Sequence, residues 1–201
     1  MKLIPLKLLS GIFCLILLAS CASGTAHIAP VRDFEMNKYT GIWYEMARLP
    51  NDFEENLSNV SASYTLRSNG YIINVLNKGY DVKKREWIEK SAYAFPRSES
   101  DIGELSVVFH WPLRAKYKII FLDVNYRYAI VTGSTMSYLW ILSRSPMMRQ
   151  GVFPELVEKA RSWGYNTENL IIVNQDMNIM DYYNRDDIEL PSEIQSRLFF
   201  E

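Results

Sequence analysis

Few residues in this 201-residue chain are of a type and spacing that could make or break bonds. There are two His and two Cys. His27 lies in a small, polar stretch from Ala22 to Pro30 and reads as a solvated linker residue. His110 stands beside Trp111 on an expected strand, so any Ser–His device would depend on that one imidazole. No Gly-x-Ser-x-Gly elbow occurs, and no Cys/His/Asp cluster has metal-ligand spacing. Catalytic residues, metals and cofactors are therefore expected to be absent. Glu45 or Glu89 could carry a raised pKa if it faced a buried interior; a hydrogen-bonded structural carboxylate is the alternative. Chemistry of another sort is well supplied by 13 Tyr, 9 Phe and 5 Trp. Tyr suits a wall that is apolar along its ring and polar at its tip. Such walls hold apolar ligands with a few polar groups at the mouth.

These side chains need elements to position them. Gly41-Ile42-Trp43-Tyr44-Glu45-Met46-Ala47-Arg48 alternates Trp43, Glu45 and Ala47 with Tyr44, Met46 and Arg48, which is the period of a two-faced strand. Gly41 permits a tight bend into it. Trp43 is large enough to anchor a core or plug the end of something hollow. Seven more strands are expected over 58–67, 71–80, 86–95, 102–111, 117–124, 126–132 and 138–143. Asn69-Gly70 is a hairpin signal because both residues accept positive φ. The loop after the first strand holds Phe53 and Leu57, apolar residues suited to covering an opening. Eight short strands with hairpin-length connections predict an all-β fold, an antiparallel up-and-down β-barrel that closes around one small ligand. Closure also removes exposed edges.

Only after residue 143 does the period change. Phe153, Leu156, Val157, Ala160 and Trp163 share one face of a helix over 154–163, ended by Gly164 and expected to pack outside the barrel. One more strand is expected over 169–174. Asp33 is placed to cap a one-turn helix before the first strand. Residues 181–201 form a C-terminal extension with a loose helix from about Pro191. Barrel interiors take alternate residues, so three sets are candidates for the wall: Tyr138, Trp140 and Leu142; Val107, Phe109 and Trp111; Trp87, Glu89, Ser91 and Tyr93. Trp140 is the leading candidate. Trp87 and Trp111 could equally be packing residues.

The N-terminus reads as delivery apparatus. Lys2 and Lys7 precede an apolar run, Leu8 to Leu18, interrupted only by Ser10 and Gly11. It is shorter than the about 20 apolar residues a membrane span needs and fits a secretory signal peptide. Leu18-Ala19-Ser20-Cys21 resembles the lipobox of bacterial lipoproteins. That resemblance implies cleavage before Cys21, acylation of its thiol, and a partner membrane. Ala22 in place of Asp implies the outer membrane, anchored most naturally at its periplasmic face. Each buried CH₂ of the acyl chains contributes about 0.8 kcal/mol to anchoring. The expected order is signal peptide 1–20, lipidated tether 21–30, barrel and helix 31–180, extension 181–201. Cys14 leaves with the signal peptide, so the mature domain has no disulfide. Removing Lys2 and Lys7 also makes it more acidic than the full chain's net −1, the opposite of a nucleic-acid binder.

Several of these features together resemble the lipocalin family. Gly41-x-Trp43 matches its first motif. Asp123-Val124-Asn125-Tyr126 resembles the second, with Asp123 and Tyr126 around a tight turn. Arg144 matches the third, whose guanidinium packs over the first motif's Trp and closes the barrel base. Trp43-Tyr44-Glu45-x-Ala47-Arg48, Asn77-Lys78-Gly79-Tyr80 and Tyr138-Leu139-Trp140-Ile141-Leu142-Ser143-Arg144 resemble the bacterial outer-membrane and apolipoprotein-D-like branch. The resemblance spans about Phe34 to Gln175. It implies binding of a fatty acid, lysophospholipid or related lipid for storage or transport at the envelope, with Glu54 at the open-end loop and Trp140 inside. The loop Trp111-Pro112-Leu113-Arg114-Ala115-Lys116-Tyr117 departs from the Gly- and aromatic-rich loop of that branch. Arg114 and Lys116 could attract a phosphate or carboxylate, or be exposed loop cations. The expected ligand set is thus Trp140, Glu54, Arg114, Tyr138, Phe109 and Trp87. A filled structural lipoprotein and a lipid-modifying enzyme are the alternatives, and a homodimer is compatible with the sequence.

Overall fold

Alternating strands separated by short turns close on themselves. The structure, a computed structural model, describes residues 24–186. The expected signal peptide, Cys21 and the expected helix near Pro191 lie outside these residues. Eight strands form the wall: β1 (Gly41–Arg48), β2 (Leu57–Leu66), β3 (Ile73–Asp81), β4 (Glu86–Pro96), β5 (Glu104–Val108), β6 (Ala115–Leu122), β7 (Tyr128–Thr132) and β8 (Leu139–Ser143). Each pairs antiparallel with the next, and β1 closes the ring by pairing with both β2 and β8. A short helix α1 (Met36–Tyr39) leads into β1, and α2 (Val152–Ser162) follows β8. Two further elements end the described chain: β9 (Ile171–Ile172), paired with β1, and α3 (Asp176–Asp186). The expected strand at 102–111 is shorter than its apolar pattern suggested, because residues 109–114 form a loop.

The alternation sorts the wall into two cores. Trp43, Tyr64, Val75, Leu105, Val131 and Leu142 point inward. Ile120, Ile130, Leu139 and Ile141 point outward and meet Leu156 and Ala160 of α2. The expected helix thus lies outside the barrel, as its single apolar face requires. Strict alternation fails once in β1. The register with β8 slips between Glu45 and Ala47, a bulge that adds one residue to one strand. Ala47 therefore joins the outer core with Met46, not the side of Trp43 that alternation assigns it. Arg48 turns inward, to the carboxylate of Glu45.

The barrel has a closed and an open end. α1 and the β6–β7 turn cover the closed end. The connections 49–56, 82–85, 109–114 and 133–138 surround the open one. Between upper β1 and β2, the segment after β9 fills the seam. Buried Gln175 donates from Nε2 to the carbonyls of Glu45 at 2.7 Å and Val60 at 2.9 Å.

Three local expectations are corrected. Residues 24–28 are no free tether, although Ala26 and His27 stay exposed as expected. Gly24 bridges to Thr135, Thr25 and Ile28 are buried, and buried Lys118 of β6 donates its Nζ to the carbonyls of both. A lysine removed from water needs such acceptors, so the segment is bound to the wall. Asp33 does not cap α1; it adopts φ +54°, and its helix has no side-chain cap. The boundary set at 180/181 falls inside α3, since the Asn174–Asp176 hydrogen bond starts a helix that runs past it.

Gly41 holds φ +95°, and a Cβ there would lie 3.1 Å from Arg144 Nη1. Gly41→Ala is expected to lower stability in urea unfolding by about 1–2 kcal/mol, the cost of an L-residue in left-handed backbone. An unchanged midpoint would contradict this account of the turn.

Candidate ligand-binding site

The floor of the site is built at the closed end. Trp43 is fully buried, and its indole N–H donates to the Tyr39 carbonyl at 2.9 Å. The Arg144 guanidinium lies 4.1 Å from the Trp43 ring centre. It also donates to the carbonyls of Tyr126 (3.1 Å), Ile42 (3.1 Å) and Lys38 (2.6 Å). One cation thus joins the strand-one lead-in, β1, the β6–β7 turn and the end of β8. Asp123 shapes that turn by accepting from the backbone N–H of Tyr128 at 2.8 Å, and from those of Asn125 and Arg127. Tyr126, at φ +55°, accepts the Glu35 N–H at its hydroxyl. The structure brings Gly41, Trp43, Asp123, Tyr126 and Arg144 together.

Above the floor, three phenols meet. Tyr39 and Tyr117 hydroxyls lie 2.7 Å apart, and Tyr64 donates to Tyr117 at 3.1 Å. Burial pushes all three phenols up, Tyr64 to about 12. They stay neutral and give the lower barrel a polar node inside an aromatic wall. Each pairing partner is distant in sequence, so strand-by-strand reading had no signal for the trio.

At the open end, Tyr138 and Trp140 stack at 6.0 Å with rings 10° apart. Phe53 from the first loop packs on Tyr138 at 5.9 Å and on Trp140 at 6.4 Å. The Trp140 indole N–H donates to Glu54 Oε2 at 3.0 Å, and Asn51 donates to the same oxygen at 2.7 Å. Arg48 sets that loop: its guanidinium donates to Glu45 Oε1 (2.8 Å) and to the carbonyls of Glu54 (2.5 Å) and Leu57 (3.0 Å). Both members of the Arg48–Glu45 pair are buried. Burial, with Glu54 nearby, pushes the Glu45 carboxyl well above the usual range, and Arg48 pulls it down by less. Sequence reading placed Trp140, Tyr138 and Glu54 in the site but missed Arg48 and Asn51. Arg48 faces inward only because of the β1 bulge.

Three expected residues lie elsewhere. Trp87 is on the outer face: β4 points Ala92 and Ala94 inward, so Trp87 faces out, edge-on to Tyr80 at 5.6 Å and under Lys78 Nζ at 4.5 Å. The face it shares with Glu89 and Tyr93 was paired correctly but assigned to the wrong side, since alternation alone does not say which side is hollow. Arg114 lies over Phe95 (5.2 Å) and Trp111 (5.1 Å), on the outer side, because Phe95 alternates with inward Ala94. Phe109 continues the inward parity of Leu105 and Val107, yet stands 47% exposed at the rim.

A carboxyl whose folded pKa is raised is most favourable while protonated, and its contribution is lost as pH rises from the unfolded value, about 4.3, through the folded one. Glu45→Gln, which mimics the protonated form, should therefore gain stability relative to the parent as pH rises from about 4.5. Paired urea titrations across pH check this; a constant difference would show no raised carboxyl.

The lipocalin-like domain family matches residues 34–175. An outer membrane lipoprotein Blc of Vibrio cholerae is 42% identical over 165 residues, covering 82% of this chain and 96% of the relative. The Blc of Escherichia coli is 34% identical over 175 residues, covering 87% and 98%. Among solved structures, insecticyanin of Manduca sexta superposes with TM-score 0.57 at 20% identity, covering 73% of this chain and 84% of that one. Such distant likeness speaks for the fold. With the barrel, the outer helix and the Trp43–Arg144 floor, these matches place the chain in the lipocalin family.

Proposed function

We propose that this lipocalin binds a fatty acid, lysophospholipid or similar lipid in its barrel, for storage or transport at the outer membrane, to which an acylated Cys21 ties it. One observation carries the reading. Trp140 faces the interior, packs on its apolar cluster and yet stays only half-buried. A filled barrel would bury an inward Trp completely, as it does Trp43. The aromatic ladder of Trp140, Tyr138 and Phe53 offers an acyl chain a flat apolar wall. Arg48 stands opposite Trp140 across the β1–β8 ladder, and its buried Nε has no hydrogen-bond partner among the described residues. It suits a carboxylate or phosphate better than Arg114, which lies over Phe95 and Trp111.

The names of the Vibrio cholerae and Escherichia coli relatives support the outer membrane location. The test is native mass spectrometry of the gently purified mature chain, with extraction of anything bound. A co-purifying fatty acid or lysophospholipid is expected. Trp140→Ala should weaken lipid binding by about tenfold or more, the loss of one large apolar contact, while costing less in unfolding free energy. An empty protein that ignores added lipid in a tryptophan-quenching titration would refute the carrier reading.

A further inference from the structure

We propose that one half of the open rim docks on the surface of an anionic lipid bilayer. Large apolar side chains exposed on a soluble barrel are ordinary when scattered. Here they concentrate. Val82 is 52% exposed in the β3–β4 turn, and Phe109, Trp111 and Leu113 are 47%, 69% and 75% exposed in the β5–β6 loop. These two connections lie on the same half of the mouth, joined through the β4–β5 pairing. The same turns expose Lys83, Lys84, Arg85 and Arg114. Asp81 faces inward, buried, and accepts the backbone N–H groups of Lys83 and Lys84 at 3.0 and 2.9 Å. Glu86 is the one exposed acid of that turn, so cations predominate on this half. The other exposed acids of the rim, Asp52 and Glu55, lie in the β1–β2 loop, which adjoins the β3–β4 turn where the Asn56 carbonyl accepts the Val82 N–H at 3.0 Å.

Aromatic and aliphatic tips ringed by Lys and Arg match the boundary between acyl chains and anionic head groups. Trp favours that boundary because its ring is amphipathic. Arg114 lies over the Trp111 ring, which keeps a cation beside the inserting side chain.

A second observation orients the molecule independently. Gly24 pairs with Thr135, and Thr25 bonds to Ser134 and Gly133, all in the β7–β8 connection at the open end. Cys21 precedes Gly24 by three residues, at most about 10 Å of chain. An acyl group there holds the open end, and not the Trp43–Arg144 floor, against the membrane. Lipid would then pass between bilayer and barrel without crossing water. That last consequence rests on the carrier reading; the docking itself does not.

The experiment uses the mature chain exported with an ordinary signal peptide and carrying Cys21→Ser, so that no acyl anchor contributes. It is sedimented with vesicles of phosphatidylethanolamine plus phosphatidylglycerol, and with vesicles of phosphatidylcholine alone. The expected result is preferential binding to the anionic vesicles, weakened by salt, with tryptophan emission quenched by brominated acyl chains. The double variant Trp111→Ser, Leu113→Ser should bind about tenfold more weakly. A fatty-acid titration of the same samples reads the interior separately and confirms that the variant is folded. Vesicle binding without fatty-acid uptake would uphold docking and overturn the carrier reading. Fatty-acid uptake with no vesicle binding, or with equal binding by parent and double variant, would overturn the docking proposal.

Discussion

The fold depends on one cation. Arg144 sits over Trp43 and donates to three carbonyls from three separate segments. The stack alone contributes roughly 0.5–2 kcal/mol. Hydrogen bonds from a charged donor add to this, though water reaches those to Ile42 and Lys38. Their placement matters more than their sum. A closed barrel must join its first strand to its last, and those strands are about a hundred residues apart. Arg144 ends the last strand and Trp43 opens the first, so the contact fixes the ring at one end. At the other end the last strand meets the loop after the first through the Trp140 indole and Glu54, with no cation stacked across the mouth among the described residues.

That asymmetry suits the barrel to the binding role proposed for it. Below, Trp43, Tyr39, Tyr64 and Tyr117 fill the interior; the three phenols bond to one another and the indole donates to the Tyr39 carbonyl. Above, the wall is lined by half-buried rings, and its polar contacts serve mainly to hold a loop. Arg48 and Glu45 are a buried pair, which is weak evidence for stability in itself. Arg48 earns its place geometrically: with two carbonyls and a carboxylate it pins the 49–57 loop, so that Phe53 and Glu54 meet Trp140 at one position. The seam beside them is covered by Gln175 and the start of α3. With no Cys among the described residues, the ring is held by long-range side-chain-to-backbone bonds at its floor and at its seam.

Much of the site was legible because strands alternate. Tyr138, Trp140 and Leu142 were paired on one face, and the Trp43, Asp123, Tyr126 and Arg144 set was visible as ordered short motifs. The same rule failed in two ways. It could not say which face of β4 was hollow, so Trp87 was assigned inside when it packs under Lys78. It also assumed unbroken register, so the β1 bulge, and with it the inward turn of Arg48, was invisible. The β5–β6 loop illustrates a third limit: Phe109, Trp111 and Leu113 look like core residues by type. Only the paired strands show that the ladder ends at Val108, leaving their side chains at the rim.

What the sequence determined by itself was local or periodic: eight strands from their alternation and an outer helix from its apolar face, with the closing Arg and Trp implied by a resemblance of short motifs. The strands and the helix follow from backbone geometry, which repeats every two or 3.6 residues whatever the surroundings. What only the tertiary structure decided was sidedness and company. Which face of β4 is inside, where the register of β1 slips, that residues 24–28 bind the wall through Lys118, and that three tyrosines share hydrogen bonds all depend on contacts between residues far apart in the chain. Such contacts form only when the ring closes, and no period along the chain encodes them.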